Sequence, residues 1–318
     1  MTRPSVFSNS ITILALLLPL IAHAQNDWLK GWREATVAVG VVDTAKAKDS
    51  RTGKYIIRGR RDTLRIPFFR VVGTAVIFAA PNDPSKTPYL VTAKHVFYDS
   101  TKNWKPSAVR LRFSWFADKS VSEYLGLPFR LIDTYGDRLW RPHPDETFDL
   151  AIIPLIVSKK EAGRDSVTPV RVENLATISQ AFEGASVLIF GYPGAVGSEY
   201  WTKPLIRHGV ISYLDEKHFG KMPILIDAMI FPGNSGGPVF TVPSGMMKDG
   251  SLGAGGGSGF LGIVSKVARQ SIEVEKASFE MEASVKDTTA AHYKTFDYMG
   301  LGVIEPAGRV AELLNIKW

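Results

Sequence analysis

The sequence contains no cysteine. That removes a thiol nucleophile, a thiolate metal site and any disulfide, so packing alone must hold the fold. The His-Glu-x-x-His pattern of zinc-dependent hydrolases is missing too. So is the Gly-Lys-Ser/Thr ending of a phosphate-binding loop, although Ser244 to Gly259 contains the string GAGGGSG. That stretch reads as a mobile loop. Helical periodicity is scarce outside the C-terminus, where Pro306 opens a segment with Val310, Leu313 and Leu314 on one face. Long apolar runs are absent apart from Ile11 to Ile21. With Arg3 before it and Ala22-His23-Ala24 after it, that run has the layout of a secretory signal peptide and is short for a membrane span. Cleavage is expected after Ala24. The mature protein is then exported, periplasmic or extracellular, with no stable membrane insertion.

What the chain does have is β-strand pattern. Short β-branched runs broken by Gly, Pro, Asn and Asp recur from Thr36 onward: TVAVGVV, FRVVGTAVIF, YLVT, VRLRF, LAIIPL, SVLIF, GVISY, PILIDA, FLGIV and MGLGVI. Many short strands without intervening helices predict an all-β sandwich or barrel. The net charge of +7 is partly local, with Arg58, Arg60, Arg61, Arg65 and Arg70 in one stretch. Ile56, Ile57, Leu64, Ile66, Phe68 and Phe69 interleave with them, which predicts a hairpin with one solvated face rather than a nucleic-acid surface. Gln270 to Lys294 is polar and reads as a long surface insertion. Charge and turn residues between Ser158 and Val170 predict a boundary there, dividing the chain after the leader (1–24) into 25–165 and 166–318.

Three local signals carry chemistry. Phe231 to Pro238 reads FPGNSGGP, with Ser235 flanked by glycines that let backbone amides turn inward. The N–H groups of Gly233 and Ser235 would converge on an oxyanion, and a donor of that kind is worth about 3 kcal/mol of barrier. Tyr89 to Val96 reads YLVTAKHV: a buried-type strand ends and presents His95, where a general base should sit. His143, His208, His218 and His292 follow no comparable strand. Phe148 to Ile153 reads FDLAII, in which Asp149 opens an apolar strand. A carboxylate is costly there unless something pairs with it, and an imidazole N–H is a suitable partner. Asp145 stands in a proline-rich turn and is the weaker choice.

The chain order His95, Asp149, Ser235 is that of the chymotrypsin type of triad. TAKHV, FDLAII and GNSGGP resemble the three active-site blocks of trypsin-like serine peptidases. FGYPGAVG at 190–197, HGVIS at 208–212, IDAMI at 226–230 and YMGLGVIEPAGRVAELL at 298–314 are similar to the bacterial Deg/HtrA branch. The resemblance implies two antiparallel six-stranded β-barrels with a C-terminal helix, and a serine endopeptidase acting on polypeptides through an acyl-enzyme. No metal or organic cofactor would be required. It also implies Met229 near the floor of the primary pocket, favouring an apolar side chain, and Gly262, Ile263, Val264 and Ser265 as the strand pairing with substrate backbone. Asn234 stands where zymogen-activated members carry an aspartate, so activation by an inserted N-terminus is not expected. No PDZ module of the kind that Deg-type proteases append is expected after Trp318. Two other readings share these residues: a catalytically idle protease-like binding module, and an esterase using the same triad.

Overall fold

The computed structural model describes residues 28–315 except 48–50, 53, 59–61, 80–86, 117–123, 164–168, 195–202, 244–247, 252–256 and 275–292. The expected leader lies outside the described residues, as does most of the glycine-rich loop.

Two antiparallel β units make up the body. The first comprises β1 (Thr36–Lys46), β4 (Arg65–Phe78), β5 (Tyr89–Thr92), β6 (Ala108–Phe113), β7 (Leu127–Arg130), β8 (Arg141–Pro142) and β9 (Ala151–Pro154). These hydrogen-bond in the order β7-β6-β1-β4-β5-β9-β8. The second comprises β10 (Ser186–Gly191), β11 (Leu205–Tyr213), β12 (Ile224–Asp227), β13 (Pro238–Thr241), β14 (Gly259–Val274) and β15 (Tyr293–Pro306), closed into a barrel. A helix, Ala307–Leu313, follows β15. The expected all-β, two-unit architecture with a C-terminal helix is the one observed. The first unit has seven strands rather than six, and among the described residues its end strands do not pair with each other. The arginine-rich stretch forms the small hairpin of β2 (Ile57–Arg58) and β3 (Asp62–Thr63) before entering β4.

Side-chain alternation explains why several strands read as continuous apolar runs. In β4, Ala75 and Ile77 fill the first unit's interior, while Val76 and Phe78 face a second core. The same split separates Leu90 from Val91 in β5, and Ile153 from Ile152 in β9. In the barrel, Val239 points inward with Ile189 and Leu261, whereas Phe240, Phe190 and Phe260 point outward. The outward residues of both units meet Val310, Ala311, Leu313 and Leu314 of the terminal helix in one shared core. Residues 28–35 are helical, an element the sequence reading lacked. Its Trp32 stacks on Phe240 with ring centroids 3.5 Å apart and planes 9° apart. The N-terminal segment thus packs on the second barrel, although the chain continues directly into the first unit.

The polar stretch 270–294 differs from expectation at both ends. β14 continues to Val274 and β15 begins at Tyr293, and Val274 pairs with Tyr293. Backbone pairing of β14 with β15 extends to these ends.

Candidate active site

A cleft of about 980 Å³ lies where the two units meet. His95, Asp149 and Ser235 all line it, together with Ser265, Lys266 and Val267 of β14. Lys94, Lys102, Arg138 and Lys266 bring positive charge to its walls, and Asp99 and Glu146 negative charge. Asp99 and Lys102 neutralise each other at 2.8 Å, and hydrogen bonds from Lys102 and Thr101 hold the Asp99 carboxyl at about 2.

His95 sits on a single helical turn, Lys94–Phe97, fastened by burial of Val96 and Phe97. Asp149 lies two residues before β9 and is 8% exposed. Its Oδ2 lies 2.6 Å from His95 Nδ1, and its Oδ1 accepts the His95 backbone N–H at 3.0 Å. Its carbonyl accepts the Lys94 N–H at 3.1 Å. Burial pushes the Asp149 carboxyl up, but hydrogen bonding and charge from His95 outweigh it and leave the group below the ordinary carboxylate value. An ionised carboxylate on Nδ1 puts the ring's proton there and leaves Nε2 as the basic nitrogen.

Ser235 stands in the tight turn before β13. The Thr74 N–H donates to the Ser235 carbonyl at 2.8 Å, and the Gly236 N–H donates to the Val264 carbonyl at 2.7 Å. Gly236 has φ +82°, and a Cβ there would lie 2.0 Å from the Thr74 oxygen, so only glycine fits. Among the described residues, the N–H groups of Gly233 and Ser235 donate to no protein acceptor, and no hydrogen bond joins His95 Nε2 to Ser235 Oγ. Such contacts are often long in unliganded sites and tighten when substrate binds. Among the described residues no group of three or more His, Asp or Glu side chains forms a metal-binding set.

The expected substrate-strand residues divide. Gly262 and Ile263 pair with β13 on one edge and β15 on the other. Val264 exchanges backbone bonds with Gly236 and Gly237. With both edges occupied, these three cannot take an added strand. Only Ser265 of the four reaches the cleft, and it is followed there by Lys266 and Val267. β13 ends its pairing at Ile263, so this later stretch of β14 keeps an edge toward the cleft. Met229 is 71% exposed and stands outside the cleft lining, with its carbonyl accepting from Arg207 Nη1 at 2.8 Å.

Two residues at the site escaped the sequence reading. Thr74, fully buried in β4, donates from Oγ1 to the Gly233 carbonyl at 2.7 Å and accepts the Tyr192 N–H at 3.0 Å. Glu305 of β15, 2% exposed, accepts the Asp149 N–H on Oε1 at 3.2 Å. In each case a lone polar side chain inside an apolar strand, VVGTAVIF and MGLGVIEP, was the available signal.

Strand layout and cleft contents together define a two-unit β hydrolase framework, and the family model of the trypsin-like peptidase domain matches residues 73–246. The chain belongs to the trypsin-like peptidase family. Among solved structures it is similar to the HtrA-type protease AlgW with decapeptide, at 16% identity, 90% coverage of this chain, 65% of that one and a TM-score of 0.43. An alanine variant of AlgW with decapeptide gives 15% identity, 89% and 63% coverage, and a TM-score of 0.39. The chain therefore spans less than two thirds of either structure's length. No curated protein matches it.

Proposed function

We propose that this peptidase is an exported serine endopeptidase that uses His95, Asp149 and Ser235 as its triad. The observation that carries the reading is the 2.6 Å contact between His95 Nδ1 and Asp149 Oδ2 in the cleft that also holds Ser235. Ser235 Oγ attacks the scissile carbonyl while His95 Nε2 takes its proton. The oxyanion is caught by the Gly233 and Ser235 N–H groups. The imidazolium, stabilised by Asp149, gives the proton to the leaving amine, and water repeats the cycle on the acyl-enzyme. The substrate backbone pairs with the β14 edge from Ser265 to Val267, shifted toward the C-terminus from the Gly262–Ser265 segment that the resemblance implies. Assignment of Met229 to the primary pocket rests on the resemblance alone.

A fluorophosphonate probe tests the chemistry. The wild-type protein should be labelled and Ser235→Ala should not; equal labelling of both removes Ser235 as nucleophile, and no labelling of either favours the idle binding module. Cleavage mapping with a peptide library separates endopeptidase from esterase. A profile dominated by Lys or Arg before the cut would overturn the apolar pocket at Met229.

A further inference from the structure

Glu305 is a carboxylic acid where the fold offers an acid little support. It lies on β15 between Ile304 and Pro306, opposite Ile263 of β14, and is 2% exposed. Oε1 takes the Asp149 N–H at 3.2 Å, whereas Oε2 is buried without a hydrogen-bond partner. The charged and polar groups that bear on it are Asp149 from the segment before β9, and Ser265 and Lys266 from β14. Asp149 needs this contact. It precedes the β9 ladder, so its N–H has no strand partner. Its carbonyl is taken by Lys94 and both carboxylate oxygens by His95. The N–H is the one group left to fix the residue, and its acceptor comes from the other β unit, 156 residues along the chain.

We propose that Glu305 is a positioning residue: by accepting the Asp149 N–H across the seam between the two β units, it holds the carboxylate in place beneath the His95 ring. A neutral acid serves this purpose best. Two adjacent buried carboxylates cannot both ionise cheaply, and Asp149 alone has the imidazole to stabilise its charge. Burial pushes the Glu305 carboxyl above its ordinary value, which favours the neutral acid, and the buried Oε2 accepts no hydrogen bond that would stabilise a charge there. A neutral clamp adds no second negative charge under the imidazole.

The kinetic arm of the test rests on the peptidase reading, so a spectroscopic arm accompanies it. In the mature protein, proton NMR should show a low-field His95 Nδ1–H resonance. Glu305→Leu, which lacks an acceptor, should broaden or shift that resonance and lower kcat about tenfold or more with KM within about twofold. Glu305→Gln keeps an amide oxygen for the Asp149 N–H and should restore the resonance, kcat within about threefold and the acid limb of kcat/KM. Glu305→Leu, folded by near-UV circular dichroism, with a wild-type resonance and kcat would overturn the proposal. So would Glu305→Gln with a displaced acid limb or a lost resonance, and this variant decides the matter alone if the leucine variant does not fold. A wild-type protein that ignores the probe yet shows the expected NMR pattern would sink the peptidase reading and leave the clamp standing.

Discussion

At the scale of single residues, Asp149 and Glu305 are neighbouring carboxyls with opposite electrostatic fates. Both lose hydration, but Asp149 recovers more than the loss from His95, while for Glu305 the Asp149 N–H, Ser265 and Lys266 do not offset burial and the facing Asp149 charge. Their effects on stability therefore have opposite signs. Glu305 contributes stability that is fully present below its ordinary 4.5 and is lost as the pH rises through its raised folded value. Asp149 contributes stability that is present above 3.8 and is lost as the pH falls through its lowered folded value. Thermal melts from about pH 3 to about pH 9 should show Glu305→Gln losing less stability than wild type on the alkaline side. Asp149→Asn should lose less on the acid side. Parallel curves for all three proteins would contradict these ionisation states. The Asp149 and Ser235 blocks were legible because their own neighbours, FDLAII and GNSGGP, carry the pattern. Glu305 was not, because its partner is fixed by tertiary contact and leaves no trace in local spacing.

At the scale of elements, strands buried on both faces were the most readable. YLVT and LAIIPL stand out because successive side chains enter two different cores. β13 was hidden, being four residues long and starting with the proline of GNSGGP. β7 is as short and β8 has two residues, and the outer halves of β14 and β15 lie in a stretch whose overall polarity reads as an insertion. The serine turn depends on the same economy of space. A methyl at Gly236 would meet Thr74 O at 2.0 Å and Thr92 Oγ1 at 2.1 Å, and φ is +82°. Gly236→Ala must move the turn away from β4 and β5. Probe labelling of Ser235 should fall by about a hundredfold or more, and the melting temperature should drop as well. Unchanged labelling kinetics would show that the turn relaxes without displacing the hydroxyl.

At the scale of the whole molecule, the two β units work as one body because their outer faces share a core with Trp32 and the terminal helix. Across the seam, Thr74 ties the first unit to the serine turn. Its N–H holds Ser235, its hydroxyl holds Gly233, and that hydroxyl also receives the Tyr192 N–H. Thr74→Val keeps the shape and deletes the hydroxyl that the Gly233 carbonyl and the Tyr192 N–H both use in a fully buried place. Losing a buried partner of this kind costs about 1–3 kcal/mol, which for a chain of this size lowers the melting temperature by several degrees. The loss should come with slower probe labelling, since Gly233 is one of the two proposed oxyanion donors. Because the shared core couples the units, unfolding followed by tryptophan fluorescence and by circular dichroism should remain a single coincident transition in wild type and variant. Thr74→Val with wild-type labelling and an unchanged melting temperature would show that the serine turn is held from its own barrel alone. The seam would then be a packing surface, with no part in aligning the imidazole of one unit with the hydroxyl of the other.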